Sequence, residues 1–220
     1  MARYTLVEIV PDKKSAVMIK AKHNPLSIWF FRNFFRMLER FFFRKMTVIS
    51  DVGRIEDQSV LLLQNHFSWW DGYWSYRLSR EVFSRKFHVM MLEDQLRKHL
   101  FLNSCGVFSI QKNNRDFLES LRYSAEILRD PKNLVTIYPT GVMLTQHRQI
   151  LKFQKGINRI IEGKKDHFVI VMAVFLVDYF GFARPEVRVY LRDYSGEKTI
   201  EAIEKAYHFF YQTCVAKQTE

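Results

Sequence analysis

Residues 60–71 read Val-Leu-Leu-Leu-Gln-Asn-His-Phe-Ser-Trp-Trp-Asp, an apolar run that gives way to a polar loop carrying a histidine and an aspartate. A strand buried on both faces has no solvent side to keep polar, so Val60 to Gln64 has the pattern of an inner strand of a parallel sheet. Comparable segments follow at Phe87 to Leu92, Val107 to Gln111, Leu134 to Tyr138, Phe168 to Phe175 and Val187 to Leu191. Between them, Trp70 to Phe83, Arg115 to Arg129, Phe153 to Glu162 and Thr199 to Val215 read as helices. The clearest is the second: Phe117, Leu118, Leu121, Ala125 and Leu128 share one face, Asn114 stands at the cap position and Pro131 stops it. This alternation predicts an α/β fold with a largely parallel or mixed sheet flanked by helices. At 220 residues and 48% hydrophobic, the chain supports one domain over 1–220 with a substantial core, and is short for two.

Upstream of the sheet, residues 24–45 predict an amphipathic helix, with Asn24 as its cap and Pro25 at the first helical position. At about 100° per residue, Leu26, Phe30, Phe31, Phe34, Phe35, Met37, Leu38, Phe41 and Phe42 fall on one broad arc, with Arg32, Asn33, Arg36, Glu39 and Arg40 opposite. Trp29 and Phe43 break the pattern. Aromatic residues beside arginines suit a membrane-facing helix in the headgroup region. The same stripe also suits packing on the helix's own domain.

A formal net charge of +11 calls for an anionic partner, a phospholipid surface or a nucleic acid. The chain has no RNP-like strand motif, zinc spacing or helix-turn-helix signature, so no nucleic-acid partner is expected. Cys105 and Cys214 are too few and too isolated for a disulfide framework or a metal knuckle, which favours a reducing compartment and no metal site. Residues 1–14 alternate apolar and charged residues and lack the apolar core of a secretory signal. The longest apolar run, Phe168 to Val177, is about half the length of a membrane-crossing helix. No crossing helix is expected.

The chemistry concentrates at the end of the first strand. In open α/β sheets ligands bind beyond the carboxyl ends of strands, where His66 and Asp71 fall and where Asn65 and Ser68 are placed to orient the loop. Histidine takes a proton near neutral pH, and a carboxylate on its other nitrogen fixes the tautomer and stabilises the imidazolium. There is no Gly-x-Ser-x-Gly elbow and neither cysteine lies beside a second histidine motif, so the attacking hydroxyl would belong to a substrate.

Asn65, His66, Ser68 and Asp71 together resemble the Asn-His-x-Ser-x-x-Asp block of the lysophospholipid acyltransferase family, the group that includes the 1-acylglycerol-3-phosphate acyltransferases. The resemblance continues in order over 48–193, which marks the catalytic core. Gly106 to Lys112 is similar to the second block, with Lys112 where arginine is usual, and Tyr138, Pro139, Thr140 and Gly141 are similar to the third. Phe153 and Gly156 match a downstream Phe-Lys-x-Gly habit, and Val171 to Val174 a weaker last block without its proline.

The resemblance implies an O-acyltransferase of membrane lipid biosynthesis, peripheral on the cytoplasmic face of the membrane and facing anionic lipid. His66 would be the general base and Asp71 its orienting group. Asn65, Ser68, Lys112, Tyr138, Pro139, Thr140 and Gly141 would lie along the substrates. No bound cofactor is implied: acyl-CoA or acyl-carrier protein would be the donor substrate, and a lysolipid hydroxyl the acceptor. Thr140 stands where the family has an acidic residue and Met143 where it has arginine, and a methionine offers a phosphate no donor. Lys112, Arg115 or His147 would then have to replace that cation. The alternatives are a non-phosphate acceptor such as an aminolipid, glycolipid or pigment, or a catalytically silent membrane-binding homologue.

Overall fold

A computed structural model of the protein describes residues 18–110, 114–148, 151–162 and 168–219. Its centre is β2 (Ser59–Gln64), whose six residues are all buried. Burial of each such Val or Leu side chain contributes roughly 1.5–3 kcal/mol relative to exposure. β2 lies between β5 (Asn133–Ile137) and β6 (Phe168–Asp178), parallel to both. β3 (Lys86–Leu92) and β4 (Val107–Ile110) extend the parallel sheet beyond β5. On the other side β7 (Glu186–Tyr194) returns antiparallel to β6, and β1 (Lys45–Asp51) closes that edge parallel to β7. The sheet is therefore mixed, in the order β1-β7-β6-β2-β5-β3-β4.

Helices cover both faces. Leu61 and Leu63 belong to an apolar cluster with α4 (Asn114–Ile127), α5 (Asn158–Glu162) and α6 (Ile200–Ala216). Val60 and Leu62 point the other way, into a cluster with α2 (Asp71–Glu81) and α3 (Glu93–Lys98). Gly106 leads into β4; its φ of +98° favours glycine, and a Cβ there would stand 2.2 Å from the Phe87 carbonyl oxygen. None of the described helices is long and apolar enough to cross a membrane.

The expected elements are present with shifted ends and one addition. α1 is Pro25–Phe42, with Asn24 Oδ1 accepting from Leu26 N at 2.9 Å and Ser27 N at 3.2 Å. It stops short of residue 45 because Lys45 to Asp51 give their backbone to β7, forming a strand that the sequence reading left unassigned. Asn114 is the first helical residue of α4 rather than its cap, and Thr199 caps α6 from outside by accepting from Ala202 N. Phe153 lies outside any helix, Gln154 is extended, and only after a 3₁₀ turn at Lys155–Ile157 does α5 begin. Glu39, expected on the polar face of α1, is buried and bonded to Arg77 and Tyr73. Residues 1–14, Gln111 and Lys112 lie outside the described residues.

Candidate active site

At the carboxyl end of β2 the chain leaves the sheet through Asn65, whose amide bonds both backbone groups of Phe175 on β6 at 2.8 Å each. This fixes the start of the loop, so His66 emerges at a defined point. The loop then folds back on Asp71. One fully buried carboxylate oxygen, Oδ2, accepts from His66 Nδ1 at 2.7 Å, Phe67 N at 2.8 Å and Ser68 N at 2.9 Å. Ser68 Oγ in turn accepts from Trp70 N at 3.2 Å, tightening the turn into α2. Asp71 occupies the first turn of α2, where the helix dipole favours a negative charge.

Burial pushes the Asp71 carboxyl above the usual carboxylate range, while the hydrogen bonds from His66, Ser68 and Phe67 hold it down in part. Its other oxygen, Oδ1, is buried with no hydrogen-bond partner among the described residues. The histidine is oriented differently: its side chain is 24% exposed. With Nδ1 held by the carboxylate, Nε2 has no hydrogen-bond partner among the described residues. The imidazole thus has one nitrogen fixed and one open, the arrangement a general base needs.

Three further groups support the pair. The Tyr138 ring lies almost parallel on the His66 ring, centroids 4.2 Å apart at 18°. Ser75 Oγ donates to the Asp71 carbonyl at 2.8 Å and also bonds Gln64 Oε1, so the last residue of β2 and the second turn of α2 brace the backbone of Asp71. Gln64 and Ser75 escaped the sequence reading. Their signals were a polar residue closing an apolar strand and a serine at helical i+4 spacing from Asp71.

The turn after β5 packs beside this constellation. Leu144 N–H donates to the His66 carbonyl at 2.7 Å, tying the turn to the His66–Asp71 loop. Gly141 has φ of +64°, and its N–H donates to the Tyr138 carbonyl at 3.0 Å. Thr140 is buried and its hydroxyl donates to the Val142 carbonyl at 2.8 Å. Pro139 is buried too, its carbonyl accepting from Gln154 N at 2.8 Å, while Gln154 Nε2 donates to the Thr140 carbonyl at 3.0 Å. Gln154, another residue the sequence reading did not single out, thus cross-links the turn to the chain before α5.

The structure therefore brings His66, Asp71, Ser68, Tyr138 and the Thr140–Gly141 turn to one end of the sheet. Asn65 is there too, with its amide spent on β6. Val142 and Met143 stand exposed at this turn, as does Trp69 on the loop. Lys112 lies outside the described residues, as does the side chain of Arg115. His147 is exposed, its N–H donating to Thr145 Oγ1.

No curated protein matches the chain closely enough to be compared with it. The acyltransferase family model, that of the 1-acylglycerol-3-phosphate acyltransferase-like family, matches residues 46–174, a span that runs from β1 into β6 and contains the His66–Asp71 pair. That span is more than half of the chain, and the protein belongs to this family of acyltransferases.

Proposed function

We propose that the enzyme transfers a fatty acyl group from a thioester, acyl-CoA or acyl-carrier protein, to the hydroxyl of a lysolipid at a membrane surface. The observation that carries this reading is the 2.7 Å His66–Asp71 bond with Nε2 of His66 left open. In the reaction, Nε2 takes the proton of the acceptor hydroxyl as its oxygen attacks the thioester carbonyl. The tetrahedral intermediate then collapses, the C–S bond breaks, and the leaving thiolate regains the proton from the imidazolium. Asp71 stabilises the imidazolium between these steps. The products are a lipid ester and a free thiol.

The membrane part of the reading is supported by α1. Leu26, Trp29, Phe30, Phe34, Met37, Phe41 and Phe42 are exposed, Leu26 at 78% and Phe41 at 74%. Contiguous apolar surface of this size on a water-facing helix marks an interaction site. Peripheral attachment to the cytoplasmic leaflet, where anionic lipid would meet the excess of basic residues, is supported by the same helix and the net charge.

The acceptor has a second version, a lipid without phosphate such as an aminolipid, glycolipid or pigment. It is favoured by the turn after β5, where Thr140 turns its hydroxyl inward and the exposed Met143 offers no cation. Both versions share one test. His66→Ala should lower thioester release by about 10²–10⁴ with folding retained by circular dichroism. Wild-type turnover in that variant would end the proposal, and mass spectrometry of products from lysophospholipid and phosphate-free acceptors decides between the two versions.

A further inference from the structure

α1 carries two unlike surfaces side by side. Leu26, Phe30, Phe34, Met37 and Phe41 recur at spacings of three and four and form an exposed apolar stripe. About 60° around the helix from Met37 stands Arg40, with Arg36 one turn before it. These two arginines form one wall of a cleft of about 180 Å³ between α1, the start of β1 and α2, completed by Glu39, Arg44, Lys45 and Arg77.

The cations of this cleft outnumber the carboxylates that answer them. Arg77 is held by Glu39 at 2.8 Å and Glu81 at 2.6 Å, and Arg44 and Lys45 share the buried Glu186. Arg36 reaches only Glu81, at 3.5 Å, which Arg77 already holds. Arg40 has no carboxylate partner among the described residues. Five cations thus face three carboxylates, and the surplus sits on the exposed lip beside the apolar stripe. Arg44 also stacks on Phe182 at 3.7 Å, so the inner cations are fixed, while of the outer pair Arg36 has only a share of Glu81 and Arg40 no carboxylate among the described residues.

Position adds to charge. Lys45 and Glu186 begin β1 and β7, and Glu186 pairs with Asp178 at the end of β6, so the cleft opens at the same end of the sheet as His66. Arg77 follows Asp71 by six residues of α2, about 9 Å along its axis. With the stripe of α1 sunk in the apolar layer, Arg36 and Arg40 stand at the depth of the phosphates.

We propose that this cleft is a headgroup site, taking the phosphate of an anionic bilayer phospholipid and so selecting anionic membrane while directing the His66 end of the sheet toward it. The inference rests on the membrane-docking part of the proposed function and names the lipid class. It is tested with the full-length protein and two kinds of vesicle, phosphatidylcholine alone and equal parts phosphatidylcholine and phosphatidylglycerol, by co-sedimentation. Wild type should bind the mixed vesicles more tightly. Arg36→Gln/Arg40→Gln should lose about thirtyfold on them, from about fivefold per basic residue at a membrane surface. A charge-matched control at the opposite end of the sheet, Arg129→Gln/Lys132→Gln, should change binding little, since it lies beyond the reach of screened attraction.

Equal losses in the two variants would overturn the site, leaving net charge as the cause. Equal binding of wild type to both vesicles would overturn it while sparing the membrane reading, and no binding to either would sink both. Coenzyme A supplies the competing phosphate: if the Arg36/Arg40 variant lost calorimetric affinity for free coenzyme A and kept its vesicle binding, the cleft would serve the donor and the proposal would fail. Thermal melting of each variant confirms that fold is not what changed.

Discussion

At the scale of single residues, Asp71 carries two duties that one substitution can separate. Its oxygen holds the loop through Phe67 N and Ser68 N, and holds the imidazole through Nδ1. Asn keeps an oxygen for the amides but has no charge with which to stabilise an imidazolium. Asp71→Asn should therefore lower turnover by about 10²–10⁴. Its stability should not fall, because burial raises the Asp71 pKa and the folded protein bears a cost for the ionised form that Asn removes. Thioester release beside thermal melting checks both halves. Retained turnover with a fall of several degrees in Tm would assign Asp71 to the fold instead. This pair was legible in the sequence because six consecutive residues, 66–71, carry it. The Tyr138 stack was not legible as geometry, since it depends on β5 lying next to β2, a contact across more than seventy positions that no local pattern reports.

At the scale of elements, α1 shows what a hydrophobic pattern can and cannot say. Its start was legible from Asn24 and Pro25, and its apolar arc from the spacing, but the arc is divided between two environments. Phe31 stacks on Phe101 at 4.7 Å, and Phe35 contacts Trp69, Trp70 and Tyr73. The other half of the arc faces outward. Helical periodicity fixes which residues share a side and is silent on what that side meets: the inner half of the stripe packs on its own domain, and the outward half is the surface that the proposed membrane contact would use. The division makes a prediction. Phe30→Ser/Phe41→Ser removes only exposed rings, so the folding free energy should stay within about 0.5 kcal/mol per site. Vesicle binding should drop by at least tenfold, because each buried aromatic ring is worth more than 1.4 kcal/mol. Urea unfolding and co-sedimentation on the same preparation measure the two quantities. Unchanged binding would show that the outward half of α1 does not meet lipid.

At the scale of the whole molecule, the alternation of strands and helices was enough to give the fold class, and the long-range order of the sheet was not. The edge strand β1 depends on pairings with β7 between residues about 140 positions apart, and β1, paired on one side and largely exposed, lacks the apolar run that marks β2. Packing the parallel strands together also buries groups that a sequence gives no reason to think buried. His88, in the middle of β3, donates from Nδ1 to the Lys86 carbonyl at 3.1 Å, and His23 donates from Nε2 to the Phe87 carbonyl at 2.8 Å with its ring 4.7 Å away. Burial first, then the neighbouring His23, pushes the His88 pKa down to about 4, and burial lowers His23 as well; among the described residues the cation facing both is Lys86. A histidine kept neutral by the fold charges freely once unfolded, near pH 6.5. The stability it permits is therefore complete above about pH 6.5 and declines as the pH falls toward about 4, by about 3 kcal/mol for His88. Urea midpoints measured across that window should fall steadily, and His88→Gln should flatten the decline. An unchanged acid limb in the variant would place the sensitivity outside His88.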